Sequence, residues 1–268
     1  ADFYSRGINY KTWGYDNYYS LKDSGKYSDL EYELDRQLIL DKTFYNNMFK
    51  KDGKFLDYII TYTPHTPFTT QKEVGQLVAQ MKYGKDNVPD LSEEDSAKLM
   101  VGETDYMVGL LIQALKDNGL YDNTVIVAYA DHYLYTINDK SVLDKYKNTT
   151  GNLINHTPFF IWSSDIKPKN INKVTMQMNI LPTVLNLFGI DYNSNYYIGK
   201  NALAKNYQGL AFFSDYSWYN GNVYVENDEI VGRGKMSQNK VDAISKQVQD
   251  LYRKNDLTLK YDYFKKTK

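Results

Sequence analysis

Apolar positions recur along the chain at two periods, one helical and one extended. From Ser92 to Asn118 the period is helical, with Met107, Val108, Leu111 and Leu115 on one face and Gly119 placed to stop the helix. Ser28-Asp-Leu-Glu31 has the form of a capping box, and Leu30, Leu34 and Leu38 follow every four residues. That pattern predicts helix over Ser28 to Phe49, with a break near Leu40-Asp41. Met178 to Phe188 predicts an apolar helix ended by Gly189. Lys240 to Lys254 carries Val241, Ile244, Val248 and Leu251 on one stripe.

The extended pattern is shorter and more aromatic. Phe55 to Tyr62 predicts a strand from its aromatic and β-branched content, and Thr157 to Ser163 predicts another. Val125, Ile126, Val127 and Ala128 form a near-continuous apolar run after the loop formers of Gly119 to Asn123. Such a run suits a strand buried on both faces of a parallel sheet. Residues 2–16, 72–90 and 133–152 read as loops, the second with a short helix. After Lys205 three short runs predict antiparallel strands, with Asn220-Gly221 as a hairpin turn. The order predicts an α/β fold with a mostly parallel sheet flanked by helices over residues 1–205. A small antiparallel subdomain with a closing helix takes residues 206–268.

The central run ends abruptly at Asp131-His132. In open α/β sheets the ligand crevice lies at the carboxyl ends of strands. A carboxylate oxygen beside an imidazole nitrogen suits Zn²⁺ or Mn²⁺, whereas a cap beside a surface imidazole would leave the same letters. His65 lies between Pro64 and Thr66-Pro67, in a rigid turn just past the Phe55 to Tyr62 strand. His156 precedes Thr157-Pro158, either bonded to backbone at a strand start or placed behind or at the rim of a site.

Composition narrows the class. At 268 residues, 42% hydrophobic and 24% charged, the chain is long enough for a substantial core. No apolar run approaches the ~20 residues of a membrane span. A formal charge of −1 removes nucleic acid as the default partner. The chain has no cysteine, which excludes disulfides and thiolate metal sites. Its 27 tyrosines fit a compositional bias first and a carbohydrate or head-group surface second.

Several separated segments resemble one family. Gly119 to Tyr133, with Asp131-His132, resembles the metal-binding strand of lipoteichoic acid synthases and related phosphoglycerol transferases. These belong to the alkaline phosphatase and sulfatase superfamily. Ile60 to Phe68 resembles the loop carrying that family's substrate-side histidine, and Gln177 to Ile190 the helix closing its main sheet. Phe3-Tyr4-Ser5-Arg6 with Gly14-Tyr15-Asp16 resembles the segment that lends an aromatic and an arginine to the head-group pocket.

The resemblance implies Asp131 and His132 as metal ligands and His65 as the catalytic histidine facing the phosphoryl or leaving group. Arg6 would pair with phosphate oxygens. Tyr4, where the family commonly has tryptophan, would pack on the head group. It further implies a divalent metal, Mn²⁺ first and Mg²⁺ or Zn²⁺ as alternatives. The donor would be phosphatidylglycerol and the product a glycerol phosphate polymer, made by a monomer at the outer face of a Gram-positive-type membrane. Transfer would pass through a phosphothreonine. The family's threonine nucleophile and metal-binding glutamate motifs do not occur here, and neither Thr43 nor Thr104 has a matching context. The expectation is therefore an incomplete catalytic domain, inactive alone, whose parent is membrane-anchored. A phosphoethanolamine transferase, a sulfatase and a non-catalytic glycerol-phosphate-binding module are the alternatives.

Overall fold

The computed structural model describes residues 3–27, 30–50 and 52–266. The chain forms two compact units, Ala1–Lys147 with Thr157–Ile166, and Asn148–His156 with Lys167–Lys268. The division drawn from sequence at 205/206 falls inside the second unit.

The first unit opens with a helix, α1 (Arg6–Thr12), where a loop was expected. Ser28-Asp29 of the predicted capping box lies outside the described residues. Beyond it the chain makes a single 3₁₀ turn at Glu31–Glu33, then α2 (Gln37–Leu40) and α3 (Lys42–Met48). The break comes at Asp41, as the pattern predicted. Its extended backbone ends α2, and its carboxylate accepts the Thr43 N–H at 2.8 Å to start α3. The same carboxylate takes the Lys26 ammonium at 3.1 Å and the Tyr27 hydroxyl at 2.8 Å.

α4 (Glu73–Tyr83) leads to the long α5 (Glu93–Asp117). Ser92 caps α5 by accepting the Asp95 N–H, while Glu93, Glu94 and Asp95 at the start and Lys116 at the end oppose the helix dipole. Met107, Ala114 and Leu115 pack with Ile39 and Phe49 into one core, against which Leu111, Ile59 and Ile126 lie. Val108, expected on that face, is 41% exposed. Glu103 of α5 is buried and grips the guanidinium of Arg36 through both carboxylate oxygens, with Nε to Oε1 at 2.6 Å. The Arg36 guanidinium also covers the Tyr106 ring at 4.5 Å. A buried carboxylate demands such a fork-on-fork partner.

The central run becomes β1 (Ile126–Tyr129). After α6 (Lys140–Tyr146), which interrupts the expected loop, the chain returns as β2 (Phe159–Trp162). The two pair antiparallel, Ile126 opposite Trp162 and Tyr129 opposite Phe159. This corrects the expected parallel pairing, since both sheets among the described residues are antiparallel. β1 is half-buried rather than covered on both faces, with Tyr129 exposed. The 55–62 stretch forms no ladder at all, so its strand-like composition is spent on packing Ile59 against the α5 core.

In the second unit, a 3₁₀ turn leads into α7 (Ile180–Leu187), with Pro182 tolerated in the first turn. Asn179 ties this start down: its side chain accepts the Met176 N–H at 2.9 Å and donates to the Lys200 carbonyl at 2.8 Å. Then β3 (Ala211–Phe212), β4 (Trp218–Tyr219), β5 (Tyr224–Glu226) and β6 (Glu229–Val231) form a four-stranded antiparallel meander. The predicted Asn220-Gly221 turn joins β4 to β5, with Gly221 at φ +91°. α8 (Gln238–Lys260) lays its apolar stripe on this sheet, Val241 and Val248 meeting Phe212, Trp218, Val223 and Val225. A short α9 (Tyr263–Lys266) follows.

Candidate active site

β1 delivers Asp131 and His132 to its exit, where sequence placed them. Asp131 Oδ1 accepts the His132 backbone N–H at 3.0 Å. His132 Nδ1 lies 2.7 Å from the Tyr133 carbonyl, which can only accept, so Nδ1 carries the hydrogen. Nε2 lies 3.5 Å from Asp131 Oδ2. A doubly protonated imidazole would pair with this carboxylate directly, whereas the neutral ring and the carboxylate together could share a cation. Bonds of about 2.0–2.2 Å at tetrahedral angles hold ligand atoms about 3.3–3.6 Å apart, so the observed separation suits one ion. Both side chains are open, at 85% and 44% exposure. Among the described residues no cluster of three or more metal-ligating side chains exists. The pair fits a divalent ion as part of a ligand set, since catalytic sites usually use about three protein ligands.

Arg6 stands on α1 beside a group of tyrosines. Tyr10 stacks on Tyr18 at 6.0 Å, meets Trp13 and Tyr15 edge-on at 5.1 and 5.3 Å, and tilts against Tyr58 at 5.7 Å. Burial pushes the Tyr10 phenol up, and the Arg6 charge opposes that shift. The Tyr58 hydroxyl lies 3.0 Å from that of Tyr129, the last residue of β1. Burial, the bond to Tyr129 and, more weakly, the negative charge of Asp131 push the Tyr58 phenol up to about 12. Arg6, Tyr10, Tyr58, Tyr129 and Asp131 are therefore neighbours in succession. Tyr4, 75% exposed, has a left-handed backbone, and its carbonyl accepts from Asn9.

His65 is built into another neighbourhood. Its ring stacks on Tyr62 at 5.0 Å and 15°, Nδ1 lies 3.0 Å from the Thr66 carbonyl, and the residue is exposed. Glu33 feels its charge; burial raises the Glu33 carboxyl, and His65 is among the groups opposing that. The turn is anchored from beneath by buried Asp35. Asp35 accepts the backbone N–H groups of Tyr62 and Thr63 and the Thr104 hydroxyl. His156 lies in the second unit, exposed, ending a 3₁₀ turn through its N–H to Leu153.

Sequence reasoning did not single out Tyr10, Tyr58 or Tyr129. Among 27 tyrosines no spacing marks them; only proximity does. A half-open cleft elsewhere, lined by Asp215, Tyr216, Asp228, Tyr252, Arg253 and Asp256, belongs wholly to the second unit and contains none of the expected site residues.

A sequence model of the family described as Sulfatase matches residues 1–190. The lipoteichoic acid synthase of Staphylococcus saprophyticus is 28% identical over 239 residues, covering 83% of this chain and 35% of its own length. That of Staphylococcus aureus is 27% identical over 249 residues, covering 85% and 36%. The chain thus spans about a third of these curated relatives. The crystal structure of the lipoteichoic acid synthase LtaP from Listeria monocytogenes superposes with a TM-score of 0.78 at 22% identity, over 96% of this chain and 67% of that one. This likeness carries the fold.

Proposed function

The chain belongs to the sulfatase family, and from that premise we propose that it carries part of the active site of a phosphoglycerol transferase. The α/β fold of that family and the likeness to lipoteichoic acid synthases support the class of reaction. One observation carries the reading furthest: Asp131 Oδ2 and His132 Nε2 face each other 3.5 Å apart at the exit of β1.

In this reading Asp131 and His132 contribute two ligands to a divalent ion, Mn²⁺ first, with Mg²⁺ or Zn²⁺ as alternatives. When bound, such an ion neutralises phosphoryl charge and lowers the pKa of an attacking hydroxyl. The Tyr133 carbonyl holds the imidazole in the tautomer that presents Nε2. Arg6 pairs with phosphoryl oxygens, its guanidinium suited to two parallel bonds. Tyr4 packs on the head group. His65, with Nδ1 bonded to the Thr66 carbonyl, would give up a proton from Nε2 to the departing glyceryl alkoxide when in its imidazolium form, a form imidazole reaches near neutral pH. Thr104 is committed to Asp35 and Thr43 to Lys26, so neither is assigned as the phosphoryl acceptor.

The donor in this reading is phosphatidylglycerol and the product a glycerol phosphate polymer, at the outer face of a Gram-positive-type membrane. No helix of the described residues is long and apolar enough to cross that membrane.

The test is Mn²⁺ titration and transfer from a phosphatidylglycerol analogue, in the 268-residue chain and in the complete protein, with Asp131→Ala in each. Loss of metal binding and of turnover in the complete variant is expected; unchanged turnover overturns the reading. A second reading, a non-catalytic module that binds glycerol phosphate, draws on the absence of a third ligand among the described residues. It predicts binding that metal does not alter.

A further inference from the structure

The half-open cleft of the second unit encloses about 520 Å³, within the range of about 300–1,000 Å³ typical of small-ligand sites. Three elements wall it. The loop after β3 brings Asp215 and Tyr216, and the turn between β5 and β6 brings Asp228. α8 brings Ser245, Gln249, Tyr252, Arg253 and Asp256. On a helix these positions share one face, beside the apolar stripe that Val241 and Val248 lay on the sheet. One side of α8 therefore closes the core, and the adjoining polar side opens onto the cleft.

Most of the polar groups on these walls are unspent. Asp215 is tied: Oδ1 accepts the Ser217 N–H at 3.0 Å and its hydroxyl at 2.7 Å, and Oδ2 accepts the Asn152 amide at 2.7 Å. Burial would raise the Asp215 carboxyl, but these donors hold it below its ordinary value, so it stays an anion. Among the described residues no hydrogen bond or ion pair engages the side chains of Asp228, Gln249, Arg253 or Asp256, or the hydroxyls of Tyr216 and Tyr252. Deeper in, Ser245 is 7% exposed and accepts the Trp218 indole N–H at 3.0 Å. The hydrogen of the Ser245 hydroxyl meets no acceptor among the described residues, so an acceptor supplied from outside would satisfy it. Tyr216 is exposed and meets the half-buried Tyr252 edge-on at 4.9 Å and 65°, which makes an aromatic corner in the wall.

We propose that this cleft binds an uncharged saccharide. The assignment does not depend on the transferase reading, since no residue at the exit of β1 takes part in it. A sugar hydroxyl both donates and accepts. It calls for carboxylates, an amide and a guanidinium together, as Asp228, Asp256, Gln249 and Arg253 supply them. The rings of Tyr216 and Tyr252 offer apolar faces to the C–H surface of a sugar ring, at small cost in conformational entropy. Three carboxylates against one guanidinium leave the walls negative, which disfavours phosphate and acidic sugars. An ammonium would suit the carboxylates and the rings, but it would leave the donors of Arg253, Gln249 and Ser245 without acceptors.

The test titrates the 268-residue chain, observed by NMR, with glucose, N-acetylglucosamine, glucuronate, inorganic phosphate and tetramethylammonium. A few hydrogen bonds of modest net worth and a ring contact predict a Kd of about 1 mM for at least one of the uncharged sugars. The shifts should centre on Tyr216, Tyr252 and the Gln249 amide, and each of the charged probes should bind at least about tenfold more weakly. Gln249→Ala and Arg253→Ala, both at exposed positions, should each weaken the sugar about three- to tenfold and leave the thermal midpoint in place. Absence of binding by both sugars overturns the assignment, as does tighter binding of any charged probe. A sugar affinity that neither variant changes also overturns it, because the contact would then lie elsewhere.

Discussion

The Thr104 hydroxyl on α5 donates to Oδ2 of Asp35 at 2.6 Å, while Oδ1 of the same carboxylate takes the Tyr62 N–H at 2.6 Å. One buried acid thus bolts the His65 turn to the longest helix. Thr104→Val keeps the shape and removes the donor. It should destabilise the first unit by about 1–3 kcal/mol, read as a lower urea midpoint; Thr104→Ser should recover most of the loss. Burial holds the Asp35 carboxyl above its ordinary value, against the pull of these donors. A raised folded-state value means the folded form takes up the proton first. The deficit of Thr104→Val should therefore be largest at neutral pH and shrink as Asp35 protonates.

Asp41 behaves oppositely. Burial alone would raise its carboxyl, but the Tyr27 hydroxyl, Lys26 and the Thr43 N–H together bring it down to about 2 from 3.8. Its contribution is present above the unfolded value and lost as pH falls from there through the folded one. Asp41→Asn should cost about 1–2 kcal/mol near neutral pH, a figure reduced because Lys26 is half in water. Denaturant curves of variant and wild type should converge as pH drops toward about 2.

Gly75 and Gly102 make a matched pair. A Cβ on Gly75, in the first turn of α4, would sit 2.1 Å from the Thr69 carbonyl in the turn that follows His65. Gly75→Ala should force the turn and helix apart, at a cost of roughly 1–3 kcal/mol or more. A Cβ on Gly102 of α5 meets nothing within 4 Å, so Gly102→Ala should stabilise by up to about 1 kcal/mol. Thermal unfolding of the two variants should move in opposite directions.

In the second unit, Trp218 is wholly buried and its indole N–H donates to Ser245 at 3.0 Å. Trp218→Phe removes the donor and leaves space between the meander and α8. A loss of about 2–4 kcal/mol is expected in chemical denaturation. Ser245→Ala, which strips only the acceptor, should cost less.

Helices with strong local signals were legible from the letters. Ser92 and Gly119 bracket α5, Asp41 breaks the 31–48 segment, and Asn220-Gly221 turns β4 into β5. What failed depended on partners distant in sequence. Phe55 to Tyr62 has strand composition, but a ladder requires a neighbour, and none pairs with it here. The apolar β1 run suggested burial on both faces, yet pairing direction lies in the route of the chain rather than in the strand. At the site, Asp131 and His132 stand out because an acid and an imidazole interrupt an apolar run. Tyr58 and Tyr129, 71 positions apart, have no such contrast.

The path of the backbone through the two units carries its own consequence. The chain leaves the first unit after Lys147, returns at Thr157 with β2, and departs again after Ile166. With three crossings, no single scission liberates either unit as one continuous polypeptide. A protease nick between 148 and 156 would leave β2 of the first unit covalently attached to the second unit through the crossing after Ile166. Recombination that swaps one unit for a foreign one would have to cut and rejoin at three places, which ties the two units' inheritance together.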